Sequence, residues 1–195
     1  MLSDGWHPES TISLYGEYGF TDRYTGGIDL DWGDVSRMGV AFVRRTLSAP
    51  EARAQVAVDA GIGLREVDGQ DAETRLRLGA SAGMGYGAWD GGVGPVALAH
   101  EGGWVSVDAV ALLDAERVAD PILTLDLTLG LNLSPRTAGI LTISAEDWPE
   151  ADLVVSLRPS ITFALTDRTR LQTGAHAAIE GAETLGLSLS IWQDF

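Results

Sequence analysis

Thr184 to Phe195 reads T-L-G-L-S-L-S-I-W-Q-D-F, and its polarity alternates almost to the last residue. Leu185, Leu187, Leu189, Ile191 and Phe195 share one parity, and Thr184, Gly186, Ser188, Ser190 and Asp194 share the other. Successive side chains of a β-strand point to opposite faces, so a period of two marks a strand with one oily and one polar face. Gln193 is the interruption, a polar residue on the oily parity.

The same period recurs upstream. Ile12, Leu14, Tyr18 and Phe20 alternate with Thr11, Ser13, Tyr15, Glu17 and Gly19. Ile28, Leu30 and Trp32 alternate with Asp29, Asp31 and Gly33. Ala54, Val56, Val58, Ala60, Ile62 and Leu64 oppose Arg53, Gln55, Asp59, Gly61, Gly63 and Arg65. Leu76, Leu78, Ala80, Ala82, Met84 and Tyr86 oppose Glu73, Arg75, Arg77, Gly79, Ser81 and Gly83. The run from Ile122 to Leu133 is the cleanest, with a leucine at every odd position from 123 to 133. Leu153, Val155, Leu157, Ile161, Phe163 and Leu165 oppose Ser156, Arg158, Ser160 and Thr162, and Pro159 on the oily parity removes a ladder donor. Arg37 to Leu47 is less regular: Met38, Val40 and Phe42 form an oily set that Val43 breaks and Arg44-Arg45 end. Turn signals such as Thr21-Asp22-Arg23, Gly33-Asp34-Val35-Ser36, Ser134-Pro135-Arg136-Thr137 and Thr166-Asp167-Arg168-Thr169 separate the runs. A glycine loop and a short strand through Val96 and Leu98 are expected between Trp89 and Gly103. The total is about twelve strands, or ten if residues 89–103 are miscounted, and no useful stretch has a helical period.

An alternating chain that closes on a terminal Phe in phase with its oily parity resembles the bacterial outer-membrane β-barrels. The resemblance implies a single closed, antiparallel, up-and-down transmembrane barrel over residues 10–195, preceded by a periplasmic tail over 1–9. It also implies that the final strand is read by the barrel assembly machinery. With Phe195 at the periplasmic end, Thr166–Thr169, Ser134–Thr137, Glu101–Gly103 and Gly33–Ser36 are expected on that side. Thr21–Arg23, Leu47–Glu51, Ala88–Gly94, Leu113–Pro121, Ala145–Asp152 and Glu180–Glu183 are expected on the other. The N-terminus, M-L-S-D-G-W-H-P-E-S, has neither the basic nor the apolar region of a signal peptide, as a mature form restarted with Met would show.

Composition fits an alternating barrel. The 195 residues suffice for one domain, and 28 Asp and Glu against 13 Lys and Arg give a formal net charge of -15. So acidic a chain is a poor match for nucleic acid, which needs a basic surface. Hydrophobic residues make up 45% of the chain, yet they are dealt out singly, without the run of roughly 18 that a membrane helix needs. The absence of cysteine excludes disulfides and thiolate metal sites.

An oily parity can be the core of a soluble barrel that encloses an apolar ligand. It can equally be the lipid-facing surface of a membrane barrel, with the polar parity turned to a lumen. Three features favour the second. The strands are long against the usual five or six residues. Lysine, a common guard of exposed strand edges, is absent from the whole chain. Aromatics (Phe20, Tyr24, Trp32, Tyr86, Trp89, Trp104, Trp148, Trp192, Phe195) stand near strand ends, as an interfacial girdle requires.

The expected lumen parity carries Glu17, Asp29, Asp31, Asp59, Glu73, Asp108 and Asp126 with Arg53, Arg65, Arg75, Arg77 and Arg158. These charges either pair across the lumen or line it as a selective surface. Small residues on the same parity, among them Gly61, Gly63, Gly79, Gly130, Gly174, Gly186 and Ser188, leave room for water. The expectation is a narrow pore for passive diffusion of small hydrophilic solutes, with a mild cation preference from the acidic excess. The alternatives are a non-conducting structural barrel and the soluble, apolar-ligand barrel. No enzyme is expected. The outer-membrane lipases carry a His-x-Ser pair, and the outer-membrane proteases pair acids with an Asp-x-His. His7, His100 and His176 match neither pattern. No cofactor or metal is implied. Outer-membrane lipid and lipopolysaccharide are the expected surroundings. The acidic residues Asp114, Glu116, Asp120, Glu146, Asp147, Glu150 and Asp152 form either a solvated rim or a place for divalent cations to bridge to lipopolysaccharide. Solute and oligomeric state are not written in the sequence.

Overall fold

The computed structural model describes residues 12–69, 71–87, 101–116, 121–149, 151–181 and 185–193. They form β1 (Ile12–Gly19), β2 (Tyr24–Trp32), β3 (Ser36–Thr46), β4 (Ala54–Val67), β5 (Glu73–Tyr86), β6 (Gly103–Asp114), β7 (Ile122–Ser134), β8 (Thr137–Asp147), β9 (Val154–Ala164), β10 (Thr169–Glu180) and β11 (Leu185–Gln193). Their order in the sheet is their order in the chain, an up-and-down meander. Eleven strands therefore stand among the described residues. The short strand expected through Val96 and Leu98 lies outside them, as do the expected tail, Trp89 and Phe195.

The strands group into two compact units. The first draws on Met1–Thr46, Val58–Leu78 and Leu112–Pro121, and the second on Leu47–Ala57, Gly79–Ala111 and Ile122–Phe195. In the first, β1 pairs antiparallel with β2 and β2 with β3, without a register break. In the second, β7 to β11 pair antiparallel in sequence. Pro159 acts as its chemistry requires. The ladder to β8 runs through it opposite Leu141, whereas the ladder to β10 is interrupted between Ser160 and Leu157.

β5 and β6 are direct antiparallel neighbours. The Ala115 N–H donates to the Thr74 carbonyl (2.9 Å) at one end, and the Tyr86 side chain lies over Gly103 at the other. The chain thus leaves β5 and enters β6 at the same end. The ends of β5 and β6 therefore meet on one side, and Ala88–Gly94, expected on the side opposite Glu101–Gly103, lies outside the described residues.

The turns explain themselves locally. Thr21-Asp22-Arg23 and Thr166-Asp167-Arg168 are the same tripeptide, and they build the same turn. The Thr21 hydroxyl accepts from the backbone N–H of Arg23 (3.2 Å) and Tyr24 (3.1 Å). The Thr166 hydroxyl accepts from Arg168 (3.2 Å) and Thr169 (3.0 Å). A short hydroxyl side chain thereby replaces backbone partners that a tight turn cannot supply. Gly181, at φ 89°, takes the left-handed conformation that leads from β10 toward β11.

Polarity is turned inside out relative to a soluble protein. On β4, Val56, Val58, Ile62 and Leu64 are exposed, and between them Asp59 is 6% exposed. On β7, Leu123, Leu125, Leu127, Leu129 and Leu133 are exposed. On β11, Leu187 is 90% exposed. Among the buried residues are Arg75, Arg77, Ser144, Ser156 and Thr162.

β3 departs from expectation. Its oily set lies on the polar face: Val40 and Phe42 are buried, while Ala41 and Val43 are exposed. Pairing with β2 is the reason. Met38, Val40 and Phe42 stand opposite Asp31, Asp29 and Gly27, so they must share the face of those two acids. Arg44, in phase with Phe42, joins that face.

Candidate functional site

The polar face is the candidate site, and in the first unit it is an ion-pair network built around one ring. Phe42 projects from β3 over Gly27, its register partner on β2, where any Cβ would overlap the ring. The Arg77 guanidinium sits 4.6 Å from the ring centroid and that of Arg44 5.5 Å. Arg77 Nε donates to Asp59 Oδ1 (2.7 Å), and its Nη1 stands 3.4 Å from Asp29 Oδ2. Arg44 Nη1 meets Glu17 Oε1 at 2.5 Å, and its Nη2 reaches Asp59 Oδ2 at 3.7 Å. The Tyr15 hydroxyl donates to Glu17 Oε1 (2.5 Å). Glu17, Arg44, Asp59, Arg77 and Asp29 thus form one chain of alternating charge, contributed by β1, β3, β4, β5 and β2. Such mutual satisfaction lets charge persist away from bulk water, because an unpaired buried charge is costly.

Other expected lining residues are also engaged. Asp31 Oδ1 accepts from the Ser13 hydroxyl (2.6 Å), its register partner on β1. Glu73 pairs with Arg75 and, at 3.7 Å, with Arg65. Asp108 Oδ2 accepts from the Ser106 hydroxyl (3.3 Å). Arg158 Nη2 donates to Glu146 Oε1 (2.5 Å), and Arg158 Nε to the Ser156 hydroxyl (3.2 Å). Glu146 therefore belongs to the polar face and not to the acidic rim. Arg53 does not belong to that face: it is exposed in the bend before β4. That bend is organised by its neighbours. Gln55 Nε2 donates to the Ala52 carbonyl (2.9 Å), and the Ser48 hydroxyl donates to Gln55 Oε1 (2.6 Å). Asp126, on β7, is the remaining member.

The second unit carries a cavity of about 290 Å³ lined by Trp104, Asn132, Thr162, Arg170 and Trp192 among others. Trp104 and Trp192, expected in an interfacial girdle, are thus on the polar face; their even parity on β6 and β11 was the signal that places them there. Several glycines of this face do not open space for water. Trp104 fills the position a side chain at Gly130 would take, and His176 does the same over Gly186. The glycines receive rings from the adjoining strand. Phe42, Arg44, Trp104, Arg170 and Trp192 were absent from the expected lining. Register against β2 would have revealed the first two.

A search of solved structures finds one described as KdgM porin, which aligns with this chain over 96% of each, at a TM-score of 0.63 and 7% identity. The fold is that of a porin-type β-barrel. No family model matches the chain, and no curated protein does. In the porin-type barrel the polar face is the lumen side and the exposed leucines form the outer side.

Proposed function

We propose that this chain is an outer-membrane β-barrel that forms a narrow pore for passive diffusion of small hydrophilic solutes, with a mild preference for cations. The observation that carries this reading is the inverted polarity. Leu123, Leu125, Leu127 and Leu129 are exposed in a row, while Asp59, Arg75 and Arg77 are buried on the opposite parity. Hydrocarbon is the solvent that accepts the first surface, and a hydrated or ion-paired lumen accepts the second. The likeness to a porin supports a channel over an enzyme. The cation preference rests on the net charge of -15 and on the acids of the lumen wall. Lipid and lipopolysaccharide then surround the barrel, and the assembly machinery reads its closing strand. A soluble barrel around an apolar ligand would instead shelter its leucines, and the exposure of Leu123, Leu125, Leu127 and Leu129 speaks for the membrane reading.

Planar-bilayer recording of the refolded protein under a salt gradient tests the pore. Discrete conductance steps with a cation-selective reversal potential are expected. Steps that reverse at the anion potential would overturn the preference. Folded, inserted protein without steps would favour a second reading, a non-conducting structural barrel. That reading has an observation of its own: Glu17, Arg44, Asp59, Arg77 and Asp29 pair with one another across five strands, which leaves the set only one net negative charge.

A further inference from the structure

We propose that the lumen wall of the second unit holds a single monovalent cation between Asp126 and Ser144. The role of this site in permeation rests on the pore reading above, but its existence does not. Asp126 on β7 and Ser144 on β8 are register partners. Partners in an antiparallel pair stand about 5 Å apart at Cα, so their side chains share one small space. Asp126 Oδ1 and Ser144 Oγ are both buried, and neither has a hydrogen-bond partner among the described residues. Ser144 is 0% exposed. A buried carboxylate oxygen left unsatisfied is destabilising, and with the Ser144 hydroxyl beside it but not bonded to it, a cation is a group that both oxygens could accept.

Nearby donors are committed elsewhere. Thr128 and Thr142, the next pair along the same strands, bond each other at 3.0 Å. Arg158 passes Ser144 on its way from opposite Thr142 to Glu146, where it is held at 2.5 Å, and its Nε is given to Ser156. Its ion pair is with Glu146, and none joins it to Asp126 among the described residues. What remains is a carboxylate oxygen, the Ser144 hydroxyl and, across the next pairing, the second lone pair of the Ser156 hydroxyl oxygen, which already accepts from Arg158. A set of oxygens with one net negative charge suits a hard cation of single charge that has shed part of its water. A divalent ion wants more carboxylate, and no group of three acidic, His or Cys ligands gathers among the described residues. A cation resting here would give the pore its charge preference at one identifiable place.

The test is thermal unfolding of the detergent-folded protein at equal ionic strength in potassium, sodium and tetraethylammonium chloride, the last cation being too large to enter. The expected midpoint is about 3 °C higher in potassium or sodium than in tetraethylammonium, as occupancy of a native site requires. Asp126→Asn and Ser144→Ala should each abolish the difference. Ser144→Ala decides alone if Asp126→Asn does not fold. Equal midpoints in all three salts, as a trapped water would give, or a difference that survives both substitutions, overturns the site. A cation-dependent midpoint without conductance keeps the site and removes the pore. Conductance without cation dependence does the reverse.

Discussion

At the scale of single residues, the polar face of the first unit is held by charge pairs that cannot be broken one side at a time. Asp59 and Arg77 are 6% and 8% exposed and bonded at 2.7 Å. Removing one partner strands the other in a poorly hydrated place. Asp59→Asn is expected to destabilise the folded barrel by about 3 kcal/mol, and adding Arg77→Gln should recover part of that loss. Urea unfolding in lipid vesicles, followed by tryptophan fluorescence, measures both. A double variant no better than the single one would show that the pair does not act as a unit. Packing gives a matching expectation. Phe42 occupies the space that Gly27 leaves, so Gly27→Ala should cost about 1–3 kcal/mol by forcing the ring aside. Phe42→Ala should make the added methyl at position 27 harmless in the same assay. A Gly27→Ala variant as stable as the parent would mean that the ring moves freely.

At the scale of the strand, alternation reports which residues share a face, and it reports this well wherever one face is uniformly apolar. The leucines of β7 and β11 fell where their parity placed them. β3 shows the limit of the method. Its oily residues were read as the outer face because apolar residues lie outside in the other strands, but Phe42 serves as a platform for two arginines. Parity is a relative label, and only pairing with Asp29 and Asp31 fixes which side is which. The ion pairs were legible as a composition of charges and illegible as partners, because pairing depends on register and on the reach of each side chain, which alternation does not report. Glu146, paired with Arg158 of the next strand, and Arg44, placed by the register of β3, were misread for that reason. A direct test of the face assignment is a charge placed on adjacent positions. Leu127→Arg, at the middle of the outer face of β7, should cost about 2–4 kcal/mol in vesicle unfolding. The same arginine at Thr128 should cost far less, because it enters the lumen. Equal costs at the two positions would contradict the assignment.

At the scale of the whole chain, eleven described strands of 8 to 14 residues and a porin-type fold describe a protein whose apolar surface looks outward. The sequence favoured a membrane barrel over a soluble one by strand length, by the missing lysine and by its aromatics, although two of those aromatics, Trp104 and Trp192, stand on the polar face. It overstated the room inside, because glycines such as Gly130 and Gly186 are covered by Trp104 and His176. How far the lumen opens therefore depends on rings and ion pairs that composition alone does not show. The claim on which the pore reading depends is that the leucine face meets hydrocarbon. The chain has no cysteine, so single labels can be placed without background. A fluorophore attached through Leu125→Cys, Leu127→Cys or Leu129→Cys, in protein folded into vesicles containing brominated lipid, should be strongly quenched. The same label at Thr124→Cys, Asp126→Cys or Thr128→Cys should be quenched little. Equal quenching on both parities, or the opposite pattern, would contradict the membrane-spanning barrel.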